Sequence, residues 1–260
     1  MNEILLKTLL FAKNKKIKVL EIGSNTGFTS IEIAKVIDAE IVGIDVNENA
    51  VRQADFILNK ESNEVSEKVT FQVGDATNID FEDDYFDLII TGGANTFIRD
   101  REQAIKEYKR VLKPNGFLAI TNLFYNKKVP VKLLENLKNI LGFEIKLWRR
   151  EYWLDLFLSS NMELYFYDEQ EMQSRSEEML ESYIEYLMSE YSNKNNSNEI
   201  PLNEIKEKWT NIMRTFNDNH KYLSYMIVIL RNNTINEQQE FFIGKGTIDP
   251  WNLEVNNKFW

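Results

Sequence analysis

Apolar runs of strand length alternate with helix-period segments through the first half of this chain, and no other feature limits its fold as tightly. The strand-like runs are Lys18–Ile22, Glu40–Asp45, Val69–Val73, Phe86–Thr91 and Gly116–Asn122. Helical patterns lie between and after them, at Thr29–Ile37, Asn49–Asn59, Asp100–Leu112 and Val131–Leu141. In the first of these, Ile33, Ala34 and Ile37 recur at helix spacing on one face. "LKPNGF", Leu112–Phe117, reads as a helix stop and a turn into the next strand, with Pro114 and Gly116 as breakers. Such alternation predicts an α/β fold: an open, mostly parallel sheet with helices on both faces.

The rhythm then changes. "RREYWLDLFLSS" has a helical pattern, and "MELYFYDEQEM" a strand pattern with alternating aromatics. Two long acidic amphipathic segments follow, Arg175–Tyr191 and Pro201–Phe216, separated by the polar run "SNKNNSNE", which predicts an exposed loop. "YLSYMIVILR" returns as an apolar strand. A helical pair between two late strands reads as an insertion that caps the sheet edge. The expected division is a core at 1–170, a helical cap at 171–218, a last core strand at 219–231 and a tail at 232–260. The tail holds Phe241, Phe242, Trp251, Phe259 and Trp260, which suits packing back on the body.

The first strand leads into "VLEIGSNTGF", Val19–Phe28. Three kinds of glycine turn compete for this stretch. A phosphate-binding P-loop needs a lysine after its last glycine, and none follows Gly27. A dinucleotide turn needs G-x-G-x-x-G, whereas Gly23 and Gly27 are spaced G-x-x-x-G. The third pattern is [DE]-x-G-x-G-x-G, and here it reads Glu21, Gly23, Asn25, Gly27, with asparagine in place of the middle glycine. Asparagine tolerates φ > 0 better than most residues, so the turn can still close.

With that exception the turn resembles motif I of the class I S-adenosylmethionine-dependent methyltransferases. More of the chain agrees: "IVGIDVNENAV" ends its strand on Asp45, "VTFQVGDATNIDF" carries Asp75 and Ala76, "FDLIITGGA" resembles the fourth-strand motif, and "AIKEYKRVLKPNGFLAIT" the helix–turn–fifth-strand segment. The resemblance runs from about Val19 to Asn122. It implies a Rossmann-like seven-stranded sheet, with the helical cap inserted between the last two strands. It also implies S-adenosylmethionine as cofactor, leaving S-adenosylhomocysteine as product. The implied cofactor-binding set is Glu21, Gly23, Ser24, Asn25, Gly27, Asp45, Val46, Asp75, Ala76, Thr91 and Gly92. In the family the acid at Asp45 accepts both ribose hydroxyls, and the one at Asp75 meets the adenine amino group. Glycines at 23 and 27 would let the backbone approach the ligand without a Cβ, and Glu21 is expected to hold the turn and the ligand's amino end.

Other residues carry plainer expectations. Asp87 is expected to be structural. Gly92 and Gly93 form a turn or open room for the reacting methyl. Asn95 and Thr96 fall where the family often presents acceptor-site residues; Asn78 and Ile79 are placed to flank adenine, with core packing an equal alternative for Ile79. Core packing is expected of Tyr165 and Tyr167, and the hydrophobic side of a lid helix of Trp148, Tyr152 and Trp153, with a place in an acceptor pocket the alternative for both groups. His220, the single histidine, is expected at the surface or in packing rather than as a base.

Composition removes several chemistries. The sequence has no cysteine and one histidine, which excludes disulfides, thiolate metal sites, a cysteine nucleophile and a histidine-rich metal centre. No metal site and no catalytic residue are assigned. The net charge of -10 opposes phosphate backbones. "TGGANTF" after the fourth strand lacks the [DN]-P-P-[YF] of nucleic-acid amino methylation. No apolar run is long enough to span a bilayer, and the opening "MNEILLKTLLFAKNKKIK" reads as a first helix rather than a signal peptide, which predicts a cytoplasmic protein. The expected partner is a small-molecule acceptor on oxygen, nitrogen or carbon, with no nucleic acid and no membrane; the oligomeric state is open. A peptide acceptor and a non-catalytic binding module are the alternatives.

Overall fold

A computed structural model describes residues 16–194 and 201–233. The opening helix, residues 195–199 of the loop expected at 192–199 and the tail beyond Asn233 lie outside the described residues; residues 192–194 of that expected loop instead end a helix. The chain order is β1 (Ile17–Ile22), α1 (Phe28–Val36), β2 (Ala39–Asp45), α2 (Glu48–Leu58), α3 (Asn63–Ser66), β3 (Val69–Val73), β4 (Phe86–Gly92), a 3₁₀ turn (Ala94–Thr96), α4 (Arg101–Val111) and β5 (Leu112–Tyr125). Then come α5 (Val131–Leu141), α6 (Arg150–Leu158), β6 (Glu163–Glu171), α7 (Glu177–Lys194), α8 (Leu202–His220) and β7 (Leu223–Arg231). The long helices α7 and α8 thus fall between the last two strands, as the sequence predicts.

The seven strands form one sheet in the order β3-β2-β1-β4-β5-β7-β6. β1 pairs in parallel with β2 and β4, β2 with β3, and β4 with β5. Strand order runs outward from β1 to β3, then reverses to β4 and β5. Right-handed crossovers therefore place α1 and α2 on one face and α4 on the other. Burial on both faces explains why these strands read as near-continuous apolar runs: Val19, Leu20, Ile41, Phe86, Ile89, Ile90, Leu118 and Ile120 are all buried. The last strand in the chain, β7, runs the other way. Asn115 N donates to Asn232 O and Asn126 N to Tyr222 O, an antiparallel pattern between β5 and β7.

The structure differs from the sequence reading at "LKPNGF". The helix does stop at Val111, but β5 starts at once, at Leu112. Phe86 pairs with Leu112 and Leu88 with Phe117, so residues 113–116 bulge out of the ladder. Pro114 sits in that bulge, where a missing N–H costs no ladder bond. Asn232 closes the gap, donating from its amide nitrogen to Gly116 O at 2.8 Å and from Nδ2 to Leu112 O at 2.8 Å.

The described residues divide into two compact units. One holds 16–123, 151–169 and 226–233; the other holds 124–150 and 170–225. In the first, Trp153 of α6 is wholly buried and stacks on Phe157 at 6.0 Å, with Tyr152 edge-on at 5.1 Å. Trp148 lies in the second unit. Tyr165 departs from the expected core role: it is 48% exposed, edge-to-face with Phe117 at 5.2 Å. Tyr167 is half-buried and donates to Glu169. The reason is position, since β6 is the sheet's edge strand. In the second unit, Leu180, Ile184 and Met188 recur every fourth residue along α7 and pack with Ile205 of α8. The Tyr125 hydroxyl and the Asn219 side chain hydrogen-bond there, both buried.

Candidate functional site

The strand order reverses between β1 and β4, and open α/β sheets bind ligands outside the carboxyl ends of strands at such a point. The chain leaves β1 there through three left-handed residues, Gly23 (φ 71), Asn25 (φ 48) and Gly27 (φ 81). Asn25 takes the conformation expected of it. Gly23 N and Ser24 N both donate to Ile44 O, at 2.8 and 3.0 Å, which ties the turn to β2. The two glycines are required by the protein's own packing as well as by φ. A Cβ on Gly23 would lie 2.5 Å from Ala94 Cβ, and one on Gly27 would lie 2.4 Å from Phe71 Cζ.

Glu21, 5% exposed, accepts from Ser30 N at 3.0 Å and from Ser30 Oγ at 2.6 Å. Gly27 is the N-cap of α1 and has no side chain to cap it; the Glu21 carboxylate serves one of the helix's free N–H groups instead. Burial pushes the Glu21 pKa up, and the bonds from Ser30 and Thr29 oppose that rise.

Asp45 ends β2. Its Oδ2 accepts from Asn25 N and its Oδ1 from Asn47 N, both at 2.9 Å. Each oxygen keeps a further lone pair, so the carboxylate is oriented but not spent. Val46 beside it is 71% exposed. Gly74 N donates to Asp45 O at 3.1 Å, which brings the end of β3 and the exposed Asp75 to the same edge. Asp75 Oδ1 takes both Thr77 N and Thr77 Oγ1 at 2.8 Å. Ala76 is buried, and Ile79 belongs to the core, its N–H on Glu107 and its carbonyl on Arg110. Asn78 is exposed.

On β4, Thr91 lies opposite Ile22 and is wholly buried, while Gly92 is exposed. Gly93 (φ 90) opens the 3₁₀ turn. Asn95 within it is buried, and its Oδ1 accepts from the Tyr108 hydroxyl at 3.1 Å. Arg101 clamps this turn from α4, Nε on Asn95 O and Nη2 on Thr96 O, both at 2.8 Å. Asp87 is structural, as expected: it accepts from Lys18 N at 2.9 Å and Lys113 Nζ at 2.7 Å. His220 is half-buried at the end of α8, in the second unit, its pKa lowered by burial and by Arg175.

The ends of β1 to β4 therefore gather Glu21, Gly23, Ser24, Asn25, Gly27, Asp45, Val46, Asp75, Ala76, Thr91 and Gly92 at one edge. Sequence reasoning missed Ser30, Phe71 and Ala94, which pack or bond against them, and Arg101 and Tyr108, which hold the adjoining 3₁₀ turn. The serine nine residues after an acid was the one available signal; the others act across long stretches of chain. Among the described residues no group of three or more His, Cys, Asp or Glu could hold a metal, and no helix is long and apolar enough to cross a membrane.

Comparison with known proteins agrees with this geometry. Residues 13–220 match the family model described as "Methyltransferase domain". An uncharacterised Haemophilus influenzae protein is 34% identical over 152 residues, 58% of this chain and 59% of that protein. Norajmaline N-methyltransferase of Rauvolfia serpentina is 33% identical over 112 residues, 43% of this chain and 38% of that enzyme. The chain thus spans less than two thirds of these curated relatives. Among solved structures, the crystal structure of MccD protein superposes with a TM-score of 0.72 at 29% identity, covering 88% of this chain and 96% of that one.

Proposed function

The chain belongs to the methyltransferase-domain family of class I S-adenosylmethionine-dependent proteins, and from that footing we propose that it transfers a methyl group from S-adenosylmethionine to a small-molecule acceptor. The observation that carries this is Asp45, a carboxylate at the switch point whose two oxygens are aimed by Asn25 N and Asn47 N and still have capacity. A ribose diol needs two such acceptor oxygens side by side. Asp75 has Oδ2 left for an adenine amino group, and exposed Val46 offers an apolar surface for the ring. Ser24 Oγ and Thr91 Oγ1 are buried without a partner among the described residues, as polar atoms would be in a pocket shaped for a ligand.

Bound there, S-adenosylmethionine would supply a methyl carbon already activated by sulfonium charge. The chain's own contribution is alignment and exclusion of water. Glu21 fixes the first turn of α1, and through it the loop that faces the ligand's amino end. The small-molecule acceptor is supported by the norajmaline enzyme's name. The net charge of -10 disfavours nucleic acid.

Calorimetric titration with S-adenosylmethionine and S-adenosylhomocysteine tests the reading. Both should bind. A folded protein that binds neither overturns it.

A further inference from the structure

Basic residues are gathered where β5 ends. Residues 124–150 hold seven Lys or Arg and two Glu, whereas the rest of the sequence holds 24 Lys or Arg against 39 Asp or Glu. Two of the seven cations are matched within the second unit, Lys127 to Glu171 at 3.2 Å and Lys138 to Glu144 at 2.7 Å. Lys128, Lys132, Lys146 and Arg149 make no ion pair among the described residues. Acids abound in this chain, yet none is brought to them. Uncompensated like charges repel one another, and a patch of one sign concentrates small ions of the other.

Backbone bonds bring part of this set to one place. Asn126 N donates to Tyr222 O at 3.0 Å, on the β7 side of β5. The amide one residue earlier points to the opposite side, and there Tyr125 N donates to Trp148 O at 2.9 Å. The segment with Lys146, Trp148 and Arg149 therefore lies along the end of β5. Arg149 reaches back over that end, its Nη1 on Tyr125 O at 3.1 Å. Its Nε and Nη2 have no partner among the described residues. Those two nitrogens form the side of the guanidinium that matches two oxygens of one oxyanion. Lys146 Nζ stands over the Trp148 ring at 5.4 Å. Lys128, in the loop that leaves β5, is exposed, as are Lys146 and Arg149. Ligands of open α/β sheets bind outside the carboxyl ends of strands, and this is such an end.

We infer that the carboxyl end of β5 binds an oxyanion, with Arg149 supplying the paired donors and Lys146 and Lys128 the surrounding positive charge. Its ligand is a small molecule that bears a phosphate or a carboxylate. Resting on the function proposed above, that molecule is the methyl acceptor. The remainder of the chain, at -15 by the same count, opposes a long polyanion and admits a small one.

The test titrates pyrophosphate and succinate calorimetrically into the protein saturated with S-adenosylhomocysteine. At least one should bind, and the preference between them tells phosphate from carboxylate. Arg149→Ala and Lys146→Ala should each weaken that binding by about tenfold or more, the scale of a hydrogen bond to a charged group. Arg149→Lys, which keeps the charge and loses the fork, should also weaken it. Lys138→Ala removes one charge from the same stretch but from an existing ion pair, and should change the affinity by about twofold or less. S-adenosylhomocysteine should bind all variants equally. Thermal melts identify any variant that does not fold; Lys146, which holds no backbone group, keeps the test decisive. Absence of binding by both anions overturns the assignment, and so does an equal loss in Lys138→Ala, which would mean diffuse charge. Sedimentation with phosphatidylglycerol but not phosphatidylcholine vesicles, lost in the same variants, would replace the small ligand with a lipid surface and overturn it too. Anion binding by a protein that does not bind S-adenosylhomocysteine would refute the proposed function, and the acceptor role with it, while leaving the oxyanion site standing.

Discussion

Ser30 gives the Glu21 carboxylate two hydrogen bonds, from its amide at 3.0 Å and its hydroxyl at 2.6 Å. One residue of α1 thereby holds the acid that closes β1, and the glycine turn is fixed at both ends. The cost is a carboxylate at 5% exposure.

That cost sets a pH dependence. The Glu21 pKa is raised by burial above the ordinary 4.5, so the folded protein holds this proton more tightly than the unfolded chain. Its stabilisation is complete below the unfolded pKa and is lost as pH rises through the folded one. Glu21→Gln should therefore flatten the fall in stability with pH just above 4.5, as read from urea midpoints across pH 4.5 to about 8. Glu107 works in the opposite sense. The Arg110 hydrogen bond holds its pKa down, so Glu107→Gln should remove stability that the wild type loses only as pH drops through that lowered pKa.

The turn should distinguish its two kinds of left-handed residue. Gly27→Ala meets both φ 81 and the Phe71 ring, and should cost about 2 kcal/mol or more. Asn25→Gly keeps an accessible conformation and should change stability by about 1 kcal/mol or less. Equal effects in denaturant titration would contradict the role given to packing at Gly27.

Asp45→Ala removes the acceptor for Asn25 N and Asn47 N as well as the oxygens assigned to ribose. S-adenosylhomocysteine affinity should fall by about tenfold or more. Unaltered affinity in calorimetry would refute the ribose role.

Asp87→Ala should do the reverse. It strips a partner from Lys18 N and from Lys113, so stability should drop by about 1–3 kcal/mol, while cofactor affinity stays as it was. A loss of affinity with unchanged stability would show that Asp87 is not structural.

Much of this was legible in the sequence because it is local. The strands announce themselves as apolar runs, and Asn25 stands where the motif needs φ > 0. Asp45 and Asp75 are legible for the same reason: one ends its strand and the other follows its strand by two residues. What escaped depends on distant contacts. No periodicity predicts that Tyr108 meets Asn95, or that Asn232 seals the bulge at 113–116. Tyr165 misled because alternation marks a strand face without telling whether anything covers it.

Phe71 carries one further consequence. Its ring fills the space a Cβ would need on Gly27 and on Gly43, at 2.4 and 2.6 Å, and Ser24 Cβ crowds Gly43 at 2.8 Å. Positions 24 and 27, 43 and 71, in three separate stretches of the gene, thus share a single volume. Their histories are bound together: a side chain gained at 43 must wait for room at both 71 and 24. At 27, room alone would not be enough, because the left-handed backbone still forbids the change. Among diverged copies of this fold, substitutions at 24, 43 and 71 should arrive in company, and in a restricted order.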